Sequence, residues 1–119
     1  MRYLMLIYGD EQASMRKSEE EQAAGFTEWM QFDQEIQAAG VTTAGEALQP
    51  TTTATTVADD GGTQLVTDGP FAESREQLGG YYVLDVPNLD EAIKWAHKCA
   101  VMTDSVKLEL RPIMEFDQG

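Results

Sequence analysis

Turn-forming residues in the middle of the chain constrain where the strands on either side can run. Asp68, Gly69 and Pro70 follow a β-prone segment that ends at Thr67. Asp can hydrogen-bond its own backbone, Gly accepts a positive φ, and Pro holds φ near about −65°, so the chain must reverse here. We expect a short charged helix over residues 71–78 to follow, with its first side chain, Phe71, directed inward.

Asp68 itself has two interpretations. In the first it forms an Asx turn or caps the short helix, which is the commoner role of an Asp-Gly pair. In the second its carboxylate lies at the rim of a pocket. After the helix, Gly79-Gly80 predicts another turn that releases the chain into a strand from Tyr81 to Val86.

The two ends of the chain predict strands of different kinds. Residues 3–8 are apolar on both alternating faces, which indicates a central strand covered on both sides. The last strand alternates, which is typical of an antiparallel strand with one dry face. Its inward residues are Val106, Leu108 and Leu110, and its outward residues are Lys107, Glu109 and Arg111.

A long helix is predicted from Glu19 to Ala39. Ser18 and Glu21 form a capping box at its start, and Gly40 ends it. Its apolar residues spread over more than half of the helix circumference, wider than the stripe needed to lie on one sheet. They are Ala23, Phe26, Trp29, Met30, Phe32, Ile36 and Ala39. We therefore expect a second subunit to cover the excess.

Asp33 falls inside this apolar arc, next to the position of Trp29 on the helix surface. A carboxylate there must be paired, protonated or open to a cavity. It is either a helix-edge residue in contact with water or an arginine, or a residue that lines a pocket.

The segment between the long helix and the central turn predicts a strand and a hairpin. The strand covers residues 41–48, with Gly45 as a bulge. The hairpin covers residues 51–67 and reverses at residues 59–62. The unpaired edges of its two strands would expose free backbone groups. We therefore expect either that a partner subunit covers them or that the hairpin is a mobile flap.

A second helix begins after Asn88, which caps it together with Glu91. Its apolar stripe consists of Leu89, Ala92, Ile93, Ala96, Cys99 and Ala100. Cys99 lies on the stripe and is expected to be a small core residue. His97 lies on one flank of the apolar stripe and is expected at the surface, because no neighbouring Cys or second His offers it a metal site.

Length and charge set limits on function. The chain has 119 residues and 42% hydrophobic residues, so we expect one domain over residues 1–119. Its net charge of −13 disfavours binding to nucleic acid or anionic membranes. A single Cys, no apolar span and no signal peptide predict a cytoplasmic protein. Without GxGxxG, GxxxxGK[ST], CxxC, HExxH or GxSxG, we expect no cofactor and no metal.

Three parts of the chain resemble one protein family. They read MRYLMLIYGDE, VTDGPFAESREQLGGYYVLDVPNLDEA and VKLELRPIME. The whole is similar to the DGPF branch of the YCII-related proteins. That resemblance implies a ferredoxin-like α+β fold of the dimeric α+β barrel type, and an association of some relatives with sigma-factor-like transcription proteins. The sister YCII branch carries a His early in the chain, whereas the histidine here is His97.

The predicted elements agree with what the resemblance implies. They follow the order βαββαβ with an inserted β-hairpin. Polar residues at strand ends and pocket-facing positions are the candidate ligand-binding residues. They are Tyr8, Asp33, Glu46, Asp68, Arg75, Tyr82 and Arg111.

Asp68 and Arg111 are predicted to line the same polar end of a cavity, with Asp33 reaching it from the long helix. Arg111 would hold a carboxylate there, either that of Asp33 or that of a ligand. In the competing structural account, Asp68 caps the short helix and Arg111 neutralises surface acid.

Three functions remain open from the sequence. The chain is a homodimeric small-ligand-binding or accessory domain, linked to transcriptional regulation through contact with a regulatory protein. Alternatively, it is a cofactor-independent small-molecule enzyme that uses Asp33 or Asp68 for acid/base chemistry. The third candidate is a purely structural dimer.

Overall fold

The computed structural model of the chain describes residues 1–103 and 106–116. Its elements are β1 (Arg2–Gly9), α1 (Glu11–Met15), α2 (Glu19–Ala38), β2 (Thr42–Ala47), β3 (Thr55–Asp60), β4 (Thr63–Asp68), β5 (Gln77–Asp85), α3 (Leu89–Met102) and β6 (Val106–Pro112), with a 3₁₀ turn at Thr51–Thr53. Among these described residues, no helix is both long and apolar enough to cross a membrane.

Four strands form one antiparallel sheet in the order β2-β5-β1-β6. β1 and β5 are central, and β2 and β6 are the edges. This α+β arrangement of antiparallel strands and helices is compatible with a ferredoxin-like fold. β3 and β4 pair only with each other in the described chain, as a separate two-stranded sheet that we call the ribbon.

Local capping signals determine where both long helices start. The Ser18 side chain accepts a hydrogen bond from the Glu21 amide, and the Glu21 carboxylate accepts one from the Ser18 amide. The predicted capping box of α2 is therefore confirmed. The Asn88 side chain likewise accepts from the Glu91 amide and starts α3.

The core lies on one side of the sheet only. In β1 the side chains of Tyr3, Met5 and Ile7 are buried, and Leu84 and Tyr82 of β5 stand opposite the first two. The helices complete this core with Phe32, Ile36, Ala92, Ala96 and Cys99. Cys99 is fully buried and so is a core residue as predicted, and this burial raises the pKa of its thiol to about 12.

The opposite side of the sheet carries no helix in the described chain, because both long helices pack on the core side. Residues of β1 and β5 that point to this side are only partly buried. We call them the open face, and they are Leu4, Leu6, Tyr8, Leu78, Tyr81 and Val83. The prediction that β1 is covered on both sides is therefore wrong for the single chain.

The predicted helix over residues 71–78 is also wrong. Phe71 is 91% exposed rather than buried, and the chain runs without regular structure until β5 begins at Gln77. Side chains bind the local backbone instead. The Ser74 hydroxyl donates to the Glu76 carbonyl, and the side-chain amide of Gln77 donates to the Ser74 carbonyl. Such bonds compete with a helical turn, and the segment has no buried apolar face to stabilise one.

The turn at Asp68 is held differently from the prediction. Gly69 has a φ of 100°, and its N–H donates to the Ala54 carbonyl at 2.7 Å. This bond closes the ribbon across its base. No described residue donates to the Asp68 carboxylate, so the predicted Asx turn and helix cap do not form.

The glycines of the sheet occupy other positions than expected. The irregularity in β2 falls between Thr42 and Ala44, so the bulge predicted at Gly45 lies earlier. Gly79 and Gly80 are part of β5 rather than a turn. β1 and β5 shift register here, since Ile7 stands opposite Gly80 but Tyr8 stands opposite Leu78, which leaves Gly79 as the extra residue.

Candidate functional site

A cleft of 530 Å³ opens on the core side of the sheet, between α1, α2 and the strands β2 and β5. α2 and α3 cover the central strands and leave this edge uncovered. The helical wall is mainly apolar and includes Phe26, Trp29 and Met30. The floor is formed by residues with little or no side chain, namely Gly45, Ala47, Gly79 and Gly80. This volume and this mixture of surfaces are typical of small-molecule sites.

Asp33 and Tyr82 meet at the base of the cleft. The Tyr82 hydroxyl donates a hydrogen bond to Asp33 Oδ1 at 2.7 Å. The Tyr82 residue is only 8% exposed, and its ring packs edge-on against Phe32 at 5.7 Å between centroids. Burial, and then the bond to Asp33, raise the pKa of Tyr82. The phenol therefore keeps its proton and acts as a donor at neutral pH.

Asp33 is one of the residues that line the cleft. No described residue donates to Oδ2, and Asp33 has no described cation within 4.0 Å. Every buried side-chain nitrogen or oxygen in the described chain has a hydrogen-bond partner, so the unbonded Oδ2 must be accessible. Tyr82 thus holds one oxygen in place and leaves the other to accept a hydrogen bond or a proton from a bound molecule.

The entrance of the cleft is held by α1. Glu11 accepts hydrogen bonds from the Thr51 amide at 2.9 Å and from the Thr51 hydroxyl at 2.7 Å. The Glu11 amide donates to the Gln77 side chain at 3.0 Å. α1 is therefore tied to both the 3₁₀ turn and β5. The elements predicted from the sequence did not include this helix, although Asp10 caps it by accepting from the Ala13 amide.

Two of the predicted site residues form the pair, and a third lies nearby. Asp33 and Tyr82 were proposed separately, and the packing of α2 on the core side of the sheet brings them together. Glu46 also borders the cleft, but it stands opposite Tyr81 and so its side chain shares the open face rather than the side of Tyr82.

The other predicted site residues lie outside the cleft. Arg111 stands opposite Leu4, on the open face, and its guanidinium binds Glu109 at 2.8 Å. Asp68 ends β4 on the ribbon, and Tyr8 belongs to the open face. Arg75 is 89% exposed at its side chain and stands 3.9 Å from Asp10. The predicted grouping of Asp68, Arg111 and Asp33 is therefore wrong within the single chain.

The described residues give less support to a metal site or to a role for the histidine. No group of three or more His, Cys, Asp or Glu side chains among residues 1–103 and 106–116 is placed to hold a metal ion. His97 is exposed on α3, away from the cleft lining.

Residues 1–117 match the YCII-related domain. The chain belongs to the YCII-related family. An uncharacterised protein of Rhizobium meliloti is 34% identical over 120 residues, an alignment that covers 100% of this chain and 97% of that protein.

Gly45 provides a test of this geometry. A Cβ at Gly45 would lie 2.6 Å from Cδ1 of Tyr82, so Gly45→Ala must displace the ring or the strand. We expect a loss of about 1–3 kcal/mol in the free energy of unfolding, measured by urea denaturation.

Gly25→Ala is the matched control, because Gly25 lies within α2 with nothing within 4 Å of its added Cβ. It should gain about 0.5–1 kcal/mol. If Gly45→Ala were as stable as the wild type, the close contact between Gly45 and Tyr82 would be contradicted.

Proposed function

We propose that this YCII-related domain binds a small molecule in the cleft between α1, α2 and the β2–β5 edge. The observation that carries the proposal is the accessible Oδ2 of Asp33, in a cleft whose α2 wall carries Phe26, Trp29 and Met30. Oδ1 already accepts from Tyr82, and Oδ2 is free to accept a hydrogen bond from a bound group. The ligand therefore has an apolar body and a hydrogen-bond donor.

A cofactor-independent enzyme is the second candidate, and the same pair favours it. Tyr82 fixes the orientation of the Asp33 carboxylate, and Oδ2 is placed to take a proton from a bound substrate. Binding and catalysis are distinguished by following a bound molecule over time by NMR. Turnover that stops in Asp33→Asn while binding persists favours the enzyme.

The domain is proposed to act as a homodimer joined at the open face. That face is a continuous group of partly buried apolar side chains on β1 and β5, and the two helices that would otherwise cover it lie on the other side. Exposed apolar surface of this kind is common at subunit contacts. The ribbon also favours a partner subunit. A two-stranded sheet is marginally stable alone, and Val57, Leu65 and Val66 are exposed on the ribbon.

Contact with a regulatory protein remains part of the proposal. The net charge of −13 favours a basic protein surface and disfavours nucleic acid.

The cleft itself is tested with two alanine-to-tryptophan variants. Ala47 stands opposite Gly80 and lines the cleft, whereas Ala24 is exposed on α2 outside the cleft lining. In a fragment screen by NMR, hits should shift the amide resonances of Gly45, Gly79 and Gly80. Ala47→Trp fills the cleft and should abolish these shifts, and Ala24→Trp should retain them. Hits that bind both variants as they bind the wild type would place the binding site elsewhere.

The dimer is tested by light scattering at micromolar concentration. The wild type should have the mass of two chains. Leu6→Glu places a charge on the open face and should give a monomer that keeps its circular dichroism spectrum. Ile93→Glu, at an exposed position of α3, should remain dimeric. A monomeric wild type would contradict the proposal.

A further inference from the structure

The charges of the cleft point to the class of its ligand. Lys17 is the one basic side chain among the described lining residues, against the acidic residues Asp10, Glu11, Asp33 and Glu46. Glu46 points its side chain to the open face, which leaves the carboxylates of Asp10, Glu11 and Asp33 on the cleft side. Three negative charges and one positive charge leave a balance of −2. An anionic ligand would meet no arginine there, since Arg111 lies on the open face and Arg75 is outside the lining.

Two of the three carboxylates already have structural partners. Asp10 caps α1 through the Ala13 amide at 3.1 Å, and Glu11 binds Thr51 through both oxygens. Asp10 Oδ2 has Arg75 at 3.9 Å, so Asp33 alone of the three has an oxygen with neither a described donor nor a described cation within 4.0 Å. The bond from Tyr82 brings Asp33 a neutral donor rather than a compensating charge. A positive charge on the ligand would supply that compensation.

The wall beside Asp33 suits an organic cation better than a hydrated metal ion. Trp29 lies one helical turn before Asp33 and contributes to the same lining, and Met30 and Phe26 continue the apolar surface. An indole ring attracts ammonium groups through its π face, and the apolar surface accommodates carbon atoms attached to the nitrogen. The negative charge of the whole chain also attracts cations toward the cleft.

We infer that the ligand of this cleft is an organic amine, with its ammonium group on Asp33 and its apolar part against Trp29. The inference rests on the proposed function of the cleft as a small-molecule site. It replaces the sequence-based expectation that an arginine holds a ligand carboxylate.

Three probes that share a phenyl ring on a two-carbon chain and differ in the polar group separate charge from shape: 2-phenylethylamine, 2-phenylethanol and 3-phenylpropanoate. Their binding to the full chain is measured by NMR titration at neutral pH and physiological salt. The amine should bind about tenfold or more tightly than the alcohol, because a charge pair at contact distance contributes on that order in a partly buried site. The carboxylate should bind weakest.

Asp33→Asn tests the position of the charge. The amide oxygen can still accept from Tyr82, so the floor of the cleft is kept while the negative charge is removed. In this variant the amine and the alcohol should bind equally. Glu28→Gln is the matched control, since Glu28 lies on the exposed side of α2 outside the cleft lining. It removes the same charge and should preserve the preference for the amine.

The outcomes separate the two proposals. Equal binding of amine and alcohol to the wild type, or tightest binding of the carboxylate, would overturn the cation inference and leave the cleft as a binding site. A preference for the amine that survives in Asp33→Asn would also overturn it. If none of the three probes shifts the cleft resonances, the inference and the proposed function both fail.

Discussion

The hydrogen bond from Tyr82 to Asp33 is the interaction on which the cleft depends. A tyrosine hydroxyl taken out of water requires a partner, and a carboxylate on the apolar side of a helix requires a donor. The Tyr82 hydroxyl donates to Asp33 Oδ1 at 2.7 Å, so each group has a hydrogen-bond partner across the α2–β5 contact. The bond thereby joins the long helix to a central strand and fixes the orientation of the carboxylate.

Glycines make that contact possible. The Tyr82 ring lies over β2 because Gly45 has no side chain, and a Cβ at Gly80 would lie 2.9 Å from the Glu46 carbonyl. These residues bring two strand backbones and one aromatic ring closer than larger residues allow. The uncovered floor of the cleft is a consequence of the same close packing.

Sequence reasoning predicted the elements that depend on local signals. The capping residues Ser18 and Asn88 act within one turn of their helices, and the alternation of β6 reflects a single buried side. It failed where contacts between distant parts of the chain decide the structure. The segment after Pro70 lacks a packing surface, and Arg111, on the outward side of β6 as predicted, lies on the open face opposite Leu4 rather than at the cleft. Asp33 was recognised as a carboxylate in need of a partner, but only the packing of α2 on β5 identifies Tyr82.

A double-mutant cycle measures the Tyr82–Asp33 bond most directly. The free energy of unfolding is determined by urea denaturation, at one protein concentration, for the wild type, Tyr82→Phe, Asp33→Ala and the double variant. A hydrogen bond to a carboxylate in this setting predicts a coupling energy of about 1–3 kcal/mol. Additive effects, with a coupling energy below about 0.5 kcal/mol, would contradict the account.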